Sequence, residues 1–150
     1  MQRYNAVVME SSLQNVLANL YANGALPKIY YLQVGIAGNV YGVPAFGVRF
    51  AYYRTPDSGT SGATNPGKLL AAGSDSLSDS ITQIKSAFSI NPTLTVKLFD
   101  LPMFFRGMVE WTAKRGKEIR LATTEGFAVQ CFTTGMILGE TLSICYQFEE

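Results

Sequence analysis

The chain has 150 residues, of which 47% are hydrophobic and only 15% are charged, with twelve Lys and Arg against eleven Asp and Glu. This composition predicts one folded domain over residues 1–150, and the near-zero net charge argues against broad electrostatic capture of nucleic acid or anionic membrane. Histidine is absent, so the commonest general base and metal ligand near neutral pH is missing.

The N-terminal region carries no targeting signal. The residues MQRYNAVVMESS lack the basic region and the long apolar stretch of a signal peptide. No run in the chain reaches the 18 apolar residues typical of a membrane helix. We therefore expect cytoplasmic synthesis from Met1 without a signal peptide, no membrane partner, and a virion as one candidate final location.

Two segments have the apolar spacing of short amphipathic helices. The first follows i, i+3, i+4, i+7 and i+8, through Leu13, Val16, Leu17, Leu20 and Tyr21. A serine before it can cap a helix, and Asn23-Gly24 ends it where left-handed residues cost little. The second runs from about Asp75 to Ser89, ends at Asn91-Pro92, and has the stripe Leu77, Ile81, Ile84 and Phe88.

The other elements have the two-residue period of strands. Ile29 to Ala37 alternates cleanly, and Gly38-Asn39 is a good two-residue turn to a returning strand that ends at Tyr53. After Pro92 the alternation dominates. The predicted strands there are 93–98, 103–112, 118–123, 127–133 and 141–148.

Residues 55–68 form the only linker-like segment, rich in Gly, Ser, Thr and Pro. We predict an exposed loop. From Gly62 to Lys68 it has the spacing G-x-x-x-x-G-K of a phosphate-binding loop, but Leu69 stands where a Ser or Thr hydroxyl would hold magnesium. Pro66 also removes one backbone amide from the phosphate cradle. We therefore interpret the match as accidental.

These elements predict a mainly β fold, a single-domain antiparallel β-sandwich or jelly-roll-like barrel with two short amphipathic helices. A mixed α+β layout is the alternative. Cys131 and Cys145 lie in predicted strands, and we expect two free, buried thiols. A hairpin centred near Leu138 would instead place them opposite each other.

No residue pattern predicts catalysis, a cofactor or a metal site. The carboxylates Glu110, Glu118, Glu125 and Glu140 lie in or beside strands, but no spacing singles out an acid–base pair. The segment from Asp75 to Asp79 lacks the glycine and the terminal glutamate of a calcium loop. The prediction is a non-enzymatic protein.

Two groups of residues are candidates for binding. Four basic residues within seven positions could contact nucleic-acid phosphates, although charged turns are usually only solvated: Lys114, Arg115, Lys117 and Arg120. Apolar residues on predicted outward strand faces and at predicted turns are candidates for a subunit interface: Tyr31, Tyr53, Phe104, Met136 and Leu138.

The leading hypothesis is a structural assembly protein, a small virion component (capsid or phage particle) that packs as a homo-oligomer or with other structural subunits. Its supports are the low charge, the β-rich pattern and the lack of catalytic motifs. A carbohydrate-binding, lectin-like module is the alternative, based on outward tyrosines and Gly/Thr-rich loops. An enzyme that uses only carboxylates, tyrosine or lysine is a third hypothesis.

Overall fold

The computed structural model describes residues 2–10, 16–38, 47–70, 79–104, 107–132 and 140–150. No helix occurs in these ranges, and therefore none that is long and apolar enough to cross a lipid bilayer. The described residues form twelve strands: β1 (Arg3–Glu10), β2 (Val16–Tyr21), β3 (Lys28–Gly38), β4 (Gly47–Thr55), β5 (Thr60–Pro66), β6 (Lys68–Leu69), β7 (Gln83–Ile90), β8 (Lys97–Phe104), β9 (Met108–Thr112), β10 (Ile119–Arg120), β11 (Gly126–Phe132) and β12 (Glu140–Glu149).

The strands form two antiparallel sheets of six. Sheet A has the order β10-β3-β12-β1-β6, and β9 pairs with the same side of β3 as β10. Sheet B has the order β5-β7-β2-β11-β4-β8. The prediction of a mainly β fold with two packed antiparallel sheets is confirmed.

The core lies between the inner faces of the two sheets. Alternate residues of each strand point inward, as in Tyr4, Ala6 and Val8 of β1. Aromatic rings fill the centre, where the Tyr52 and Phe127 centroids are 5.3 Å apart. The other rings of this cluster are Phe99, Trp111 and Tyr146.

Both predicted helices are wrong over the described residues. Val16–Tyr21 is β2, a central strand of sheet B whose first five residues are all buried. A strand buried on both faces reads as a continuous apolar run, which period alone does not distinguish from a helix. The second segment contains β7, whose buried residues are Ile84, Ser86 and Phe88, and the buried Thr82 directly precedes it, so apolar and polar residues alternate inward. Residues 11–15 and 71–78 lie outside the described ranges.

Two predicted hairpins are also wrong, because the strands they would join lie in different sheets. β3 belongs to sheet A and β4 to sheet B, and the same separation holds for β11 and β12. Cys131 therefore packs against the core from sheet B, whereas Cys145 lies in sheet A and donates its Sγ–H to Asn5 Oδ1 at 2.9 Å. The expectation of two free thiols is confirmed, and burial raises the pKa of each to about 11.

The predicted loop over residues 55–68 is only partly a loop. Residues 56–59 are irregular, but Thr60–Pro66 forms β5 and Lys68–Leu69 forms β6. Gly67 between them is buried, with no room for a Cβ beside the Phe148 ring. The extended backbone from Gly62 to Lys68 differs from the strand–loop–helix arrangement that a phosphate-binding loop needs.

Candidate functional site

β5 is a terminal strand of sheet B. Within the described ranges it pairs on one side only, with β7. Its seven residues, TSGATNP, contain no charge and no large side chain, and all are exposed or half-buried. At about 3.3 Å per residue the strand offers an edge of about 23 Å. Sheet edges of this kind are templates for pairing with another chain.

Hydrogen bonds inside sheet B determine which way the amides of β5 point. In antiparallel sheets the main-chain groups of successive residues face alternate neighbours. The Ala22 amide donates to the Glu125 carbonyl at 2.9 Å and continues the β2–β11 register, so even-numbered residues of β2 face β11. The main-chain groups of odd-numbered β2 residues therefore face β7, where Asn19 pairs with Lys85. Because the main-chain groups of Lys85 face back toward β2, those of Ile84 and Ser86 face β5.

This alternation indicates which main-chain groups of β5 face β7. Its register pairs Ala63 with Ser86 and Asn65 with Ile84, so the main-chain groups of Ala63 and Asn65 face β7. Those of Thr64 face the open edge. The register gives Gly62 no partner, and Ala87 opposite it has a left-handed backbone, with φ 53°. Pro66 also faces that edge, where its missing N–H costs no ladder hydrogen bond.

β8, the other terminal strand of sheet B, has a different edge. The Arg54 amide donates to the Val96 carbonyl at 2.9 Å, so even-numbered residues of β4 face β8. The register then turns the main-chain groups of Asp100 and Pro102 outward. Pro102 lacks an amide donor, and the Asp100 carboxylate pairs with Lys97 at 3.1 Å. Proline and charge on an edge oppose strand addition.

Polar contacts hold β5 at its start. Asp57 accepts the Gly59 amide at 3.0 Å and the Thr93 amide at 3.2 Å. Burial alone would raise the pKa of Asp57, but hydrogen bonds from Thr93 and Gly59 lower it below its ordinary value. The Asn19 side-chain amide donates to the Asp57 carbonyl at 3.2 Å. The edge is therefore ordered before any partner arrives, which lowers the entropy cost of binding.

The end of β5 is held in the same way. The Gly67 amide donates to Ser80 Oγ at 2.7 Å, and the Ser80 amide donates back to the Gly67 carbonyl at 3.1 Å. Glu150 in turn accepts the Thr82 amide at 3.1 Å. Together with the contacts of Asp57, these bonds fix the backbone before and after β5.

A second candidate site lies at one end of sheet A. Four charged residues face one another in register across β10, β3, β12 and β1: Arg120, Lys28, Glu149 and Arg3. The loop 113–118 stands beside this row, tied to β3 by the Ala113 amide, which donates to the Tyr30 carbonyl at 2.8 Å. Together they enclose a cleft of about 450 Å³, lined by Arg3, Tyr30, Ala113, Arg115, Glu118 and Glu149.

The carboxylates of this cleft already have partners. Glu149 pairs with Arg3 at 2.8 Å. Glu118 accepts the Gly116 amide at 2.8 Å, and this bond is the main reason that its pKa lies below the ordinary value. In contrast, Lys114, Arg115 and Lys117 form no ion pair with any described residue.

Charge is therefore unevenly distributed. The cleft and its loop hold six cations and two carboxylates: Arg3, Lys28, Lys114, Arg115, Lys117, Arg120, Glu118 and Glu149. The remaining six cations and nine carboxylates lie elsewhere in the chain. The four basic residues singled out from the sequence thus belong to a larger basic end that includes Arg3 and Lys28, which are far away in sequence.

Of the predicted interface residues, Tyr31 and Tyr53 have described side chains, and these two lie on opposite outer faces. Tyr31 lies on the outer face of sheet A, where its hydroxyl donates to Glu110 at 2.9 Å; burial, then this bond, raises its pKa to about 12. Tyr53 lies on the opposite face of β4 from the buried Tyr52, and so on the outer face of sheet B. Phe104 ends β8 but its side chain is outside the described set, as are Met136 and Leu138 entirely.

Sequence reasoning missed an apolar strip on the outer face of sheet A. Val7, Met9 and Met108 are 45%, 63% and 59% exposed. Met108 and Met9 share one row with Gly35 and Ser143 between them. The alternation of β1 in the sequence could have indicated this strip. Because Tyr4, Ala6 and Val8 all point inward, Val7 and Met9 must point outward.

The candidate carboxylates bind other protein groups instead of each other. Glu125 pairs with Arg54 at 2.9 Å, and Glu110 accepts the Tyr31 hydroxyl. In the described ranges, no three Asp, Glu or Cys side chains are grouped as a metal ion would need. No protein-family model matches the chain, and no curated protein is similar to it.

Proposed function

We propose that this protein is a non-enzymatic structural subunit that acts by self-association, alone or with other structural subunits, in a particle such as a small virion. The observation that carries the proposal is the open edge of β5. Within the described residues β5 pairs only with β7, its strand carries no charge, and the main-chain groups of Thr64 face the open side. An added strand would satisfy them with main-chain hydrogen bonds.

The apolar strip on the outer face of sheet A supports a second contact. Two strands separate Val7 and Met9 on β1 from Met108 on β9, and polar groups such as Gln33 and Ser143 stand between them. Apolar surface bounded by polar groups is typical of protein interfaces. A subunit with one edge contact and one face contact can be joined to neighbours in two directions, as a particle requires.

We further infer that the two sheets form a double-sheet sandwich of the jelly-roll kind. The chain passes between the sheets from β1 to β2, from β3 to β4 and from β11 to β12. Double-sheet jelly rolls are frequent in viral capsids, although a fold alone does not establish a function. The open edge and the apolar strip therefore carry the proposal, and the fold class only agrees with it.

The test is the mass of the purified chain by light scattering after size exclusion, over a concentration series. We expect an oligomer that dissociates on dilution and is lost in Thr64→Pro. A monomer of 16.4 kDa at every concentration would overturn self-association. A monomer that bound one class of sugar on a glycan array would favour the carbohydrate-binding alternative.

The basic end of sheet A favours a second function, contact with single-stranded nucleic acid. Lys114, Arg115 and Lys117, which have no ion pair among the described residues, can bind successive phosphates from one loop, since phosphate contacts dominate such affinities. Binding of a labelled oligonucleotide should weaken with salt, and Arg115→Glu should weaken binding and flatten the salt dependence. Lys85→Glu, on β7 in sheet B, is the matched control. Equal binding by both variants would contradict this function.

A further inference from the structure

We propose that the cleft at the basic end of sheet A holds one base of a single-stranded nucleic acid against Tyr30 and Arg3. Lys114 and Lys117, on the loop beside the cleft, bind the phosphates that flank this base. The inference deepens the second function proposed above and rests on it. It adds a site for a base to a surface that was so far described only by its charge.

An extra residue in β3 turns the Tyr30 ring into the cleft. In the β3–β12 register, Gln147 pairs with Tyr31, and the next residue of β12 pairs with Ile29. Tyr30 is therefore the extra residue of a β-bulge. Ile29 is buried in the core, whereas the Tyr30 ring lies beside Arg3 and lines the cleft. Bulges are frequent next to functional sites, where they re-aim one side chain.

Tyr30 and Arg3 together form one wall of the cleft. The guanidinium carbon of Arg3 lies 5.3 Å from the centroid of the Tyr30 ring. Arg3 Nε donates to a Glu149 carboxylate oxygen at 2.8 Å, and the Arg3 side chain remains 66% exposed. Bases stack both on aromatic rings and on guanidinium planes. This wall is therefore held in place before binding and offers a surface on which a base can stack.

The charges inside the cleft suit a base better than a phosphate. The lining contains two cations and two carboxylates, so its net charge is zero: Arg3, Arg115, Glu118 and Glu149. The carboxylates would repel a phosphate, but they can accept hydrogen bonds from the amino group of a base. The volume of about 450 Å³ lies within the range of about 300–1,000 Å³ that is usual for small-molecule sites.

The loop beside the cleft suits phosphates. The Lys117 amide donates to the Lys114 carbonyl at 2.8 Å, and Gly116 has a φ of 79°, so residues 114–117 form a tight turn. The first and fourth Cα atoms of such a turn lie within about 7 Å of each other. Lys114 and Lys117 form no ion pair with any described residue. Their ammonium groups are therefore available to neighbouring phosphates.

An abasic oligonucleotide separates the base site from the phosphate contacts. A labelled single strand and an abasic strand of the same length carry the same phosphates, so fluorescence anisotropy titrations of both measure what the bases contribute. We expect the strand with bases to bind about tenfold more tightly, which lies within the range of base–aromatic stacking.

Substitution of Tyr30 tests whether the cleft is the source of this preference. Tyr30→Leu should remove the tenfold preference but leave the salt dependence unchanged, because it removes a ring and no charge. Tyr30→Phe keeps the ring and should retain the preference. Tyr21→Leu in sheet B is the matched control, since the Tyr21 ring also lies under a cation, with Lys85 Nζ 5.6 Å from its centroid. Circular dichroism checks the fold of each variant.

Three results separate the failures. If neither strand binds, the nucleic-acid function and this site are both overturned. If the two strands bind equally and Arg115→Glu weakens both, only the base site is overturned. A preference for bases that persists in Tyr30→Leu, or that Tyr21→Leu removes equally well, would also overturn the base site.

Discussion

The two edges of sheet B are built differently. β5 and β8 are both terminal strands that turn alternate main-chain groups outward. β8 carries Pro102 at an outward position and a carboxylate–ammonium pair, Asp100 with Lys97. β5 has no charge, and its proline stands at the end of the strand. Among the described residues, β8 is thus better protected against strand addition than β5, and association is expected at β5.

The largest effect is expected from placing a proline at an outward position of β5, as Pro102 is placed in β8. Thr64→Pro removes an outward donor and leaves pairing with β7 intact, since Thr64 faces away from β7. We expect association to weaken about 100-fold, which corresponds to about 2.7 kcal/mol. Sedimentation equilibrium measures the change. Thr64→Val retains the amide and is the control, and equal weakening by both would contradict the main-chain account.

The next prediction concerns the hydrogen bonds that hold the start of β5 in place before a partner binds. Asp57→Ala removes the acceptor of the Gly59 and Thr93 amides and should lower the free energy of unfolding by about 1–2 kcal/mol. Because the folded pKa of Asp57 is lowered, its contribution is present above the unfolded value, about 3.9, and is lost as pH falls through the lower folded pKa.

Urea unfolding at pH 7 and at pH 3 measures both effects. The difference in the free energy of unfolding between wild type and Asp57→Ala should be smaller at pH 3 than at pH 7. A gap that widened with acid would contradict the role assigned to Asp57.

The converse change removes the outward proline of β8 and tests whether that edge then supports association. Pro102→Thr restores an outward amide, and in a Thr64→Pro background it should raise the otherwise weak association about tenfold, or about 1.4 kcal/mol. Light scattering over a concentration series measures this gain. Association that stays at the level of Thr64→Pro alone would show that Pro102 is not what protects β8.

A small change in the core separates stability from association. The Tyr52 hydroxyl is buried and has no hydrogen-bond partner among the described residues, and Tyr52 pairs with Phe99 of β8. Tyr52→Phe should therefore stabilise the fold, by less than about 1 kcal/mol. Thermal unfolding measures the gain, while the association constant should not change. A loss of stability would mean that the hydroxyl has a partner in solution.

Strands whose single buried face is entirely apolar could be predicted from the sequence, and the others could not. β12 alternates Leu142, Ile144, Tyr146 and Phe148 inward with small or polar residues outward, so its pattern is unambiguous. β2 is buried on both faces, and β7 buries Ser86 in its alternation, so both resembled helices. β5 resembled a loop because its residues favour turns.

The candidate sites depend on contacts between distant parts of the chain. Arg3 meets Glu149 across 146 positions, so only part of the basic end was visible as the cluster from Lys114 to Arg120. Whether β5 is an edge depends on the order of all six strands in sheet B. No local pattern encodes that order, which explains why the sequence indicated assembly but not the surface for it.

The most direct test is amide hydrogen exchange at several protein concentrations, read residue by residue. If β5 is the association edge, protection of the Thr64 amide will rise with concentration, while that of the outward Asp100 amide in β8 stays constant. Exchange at Thr64 that is equally fast at every concentration, in a protein that still oligomerises, would contradict the account.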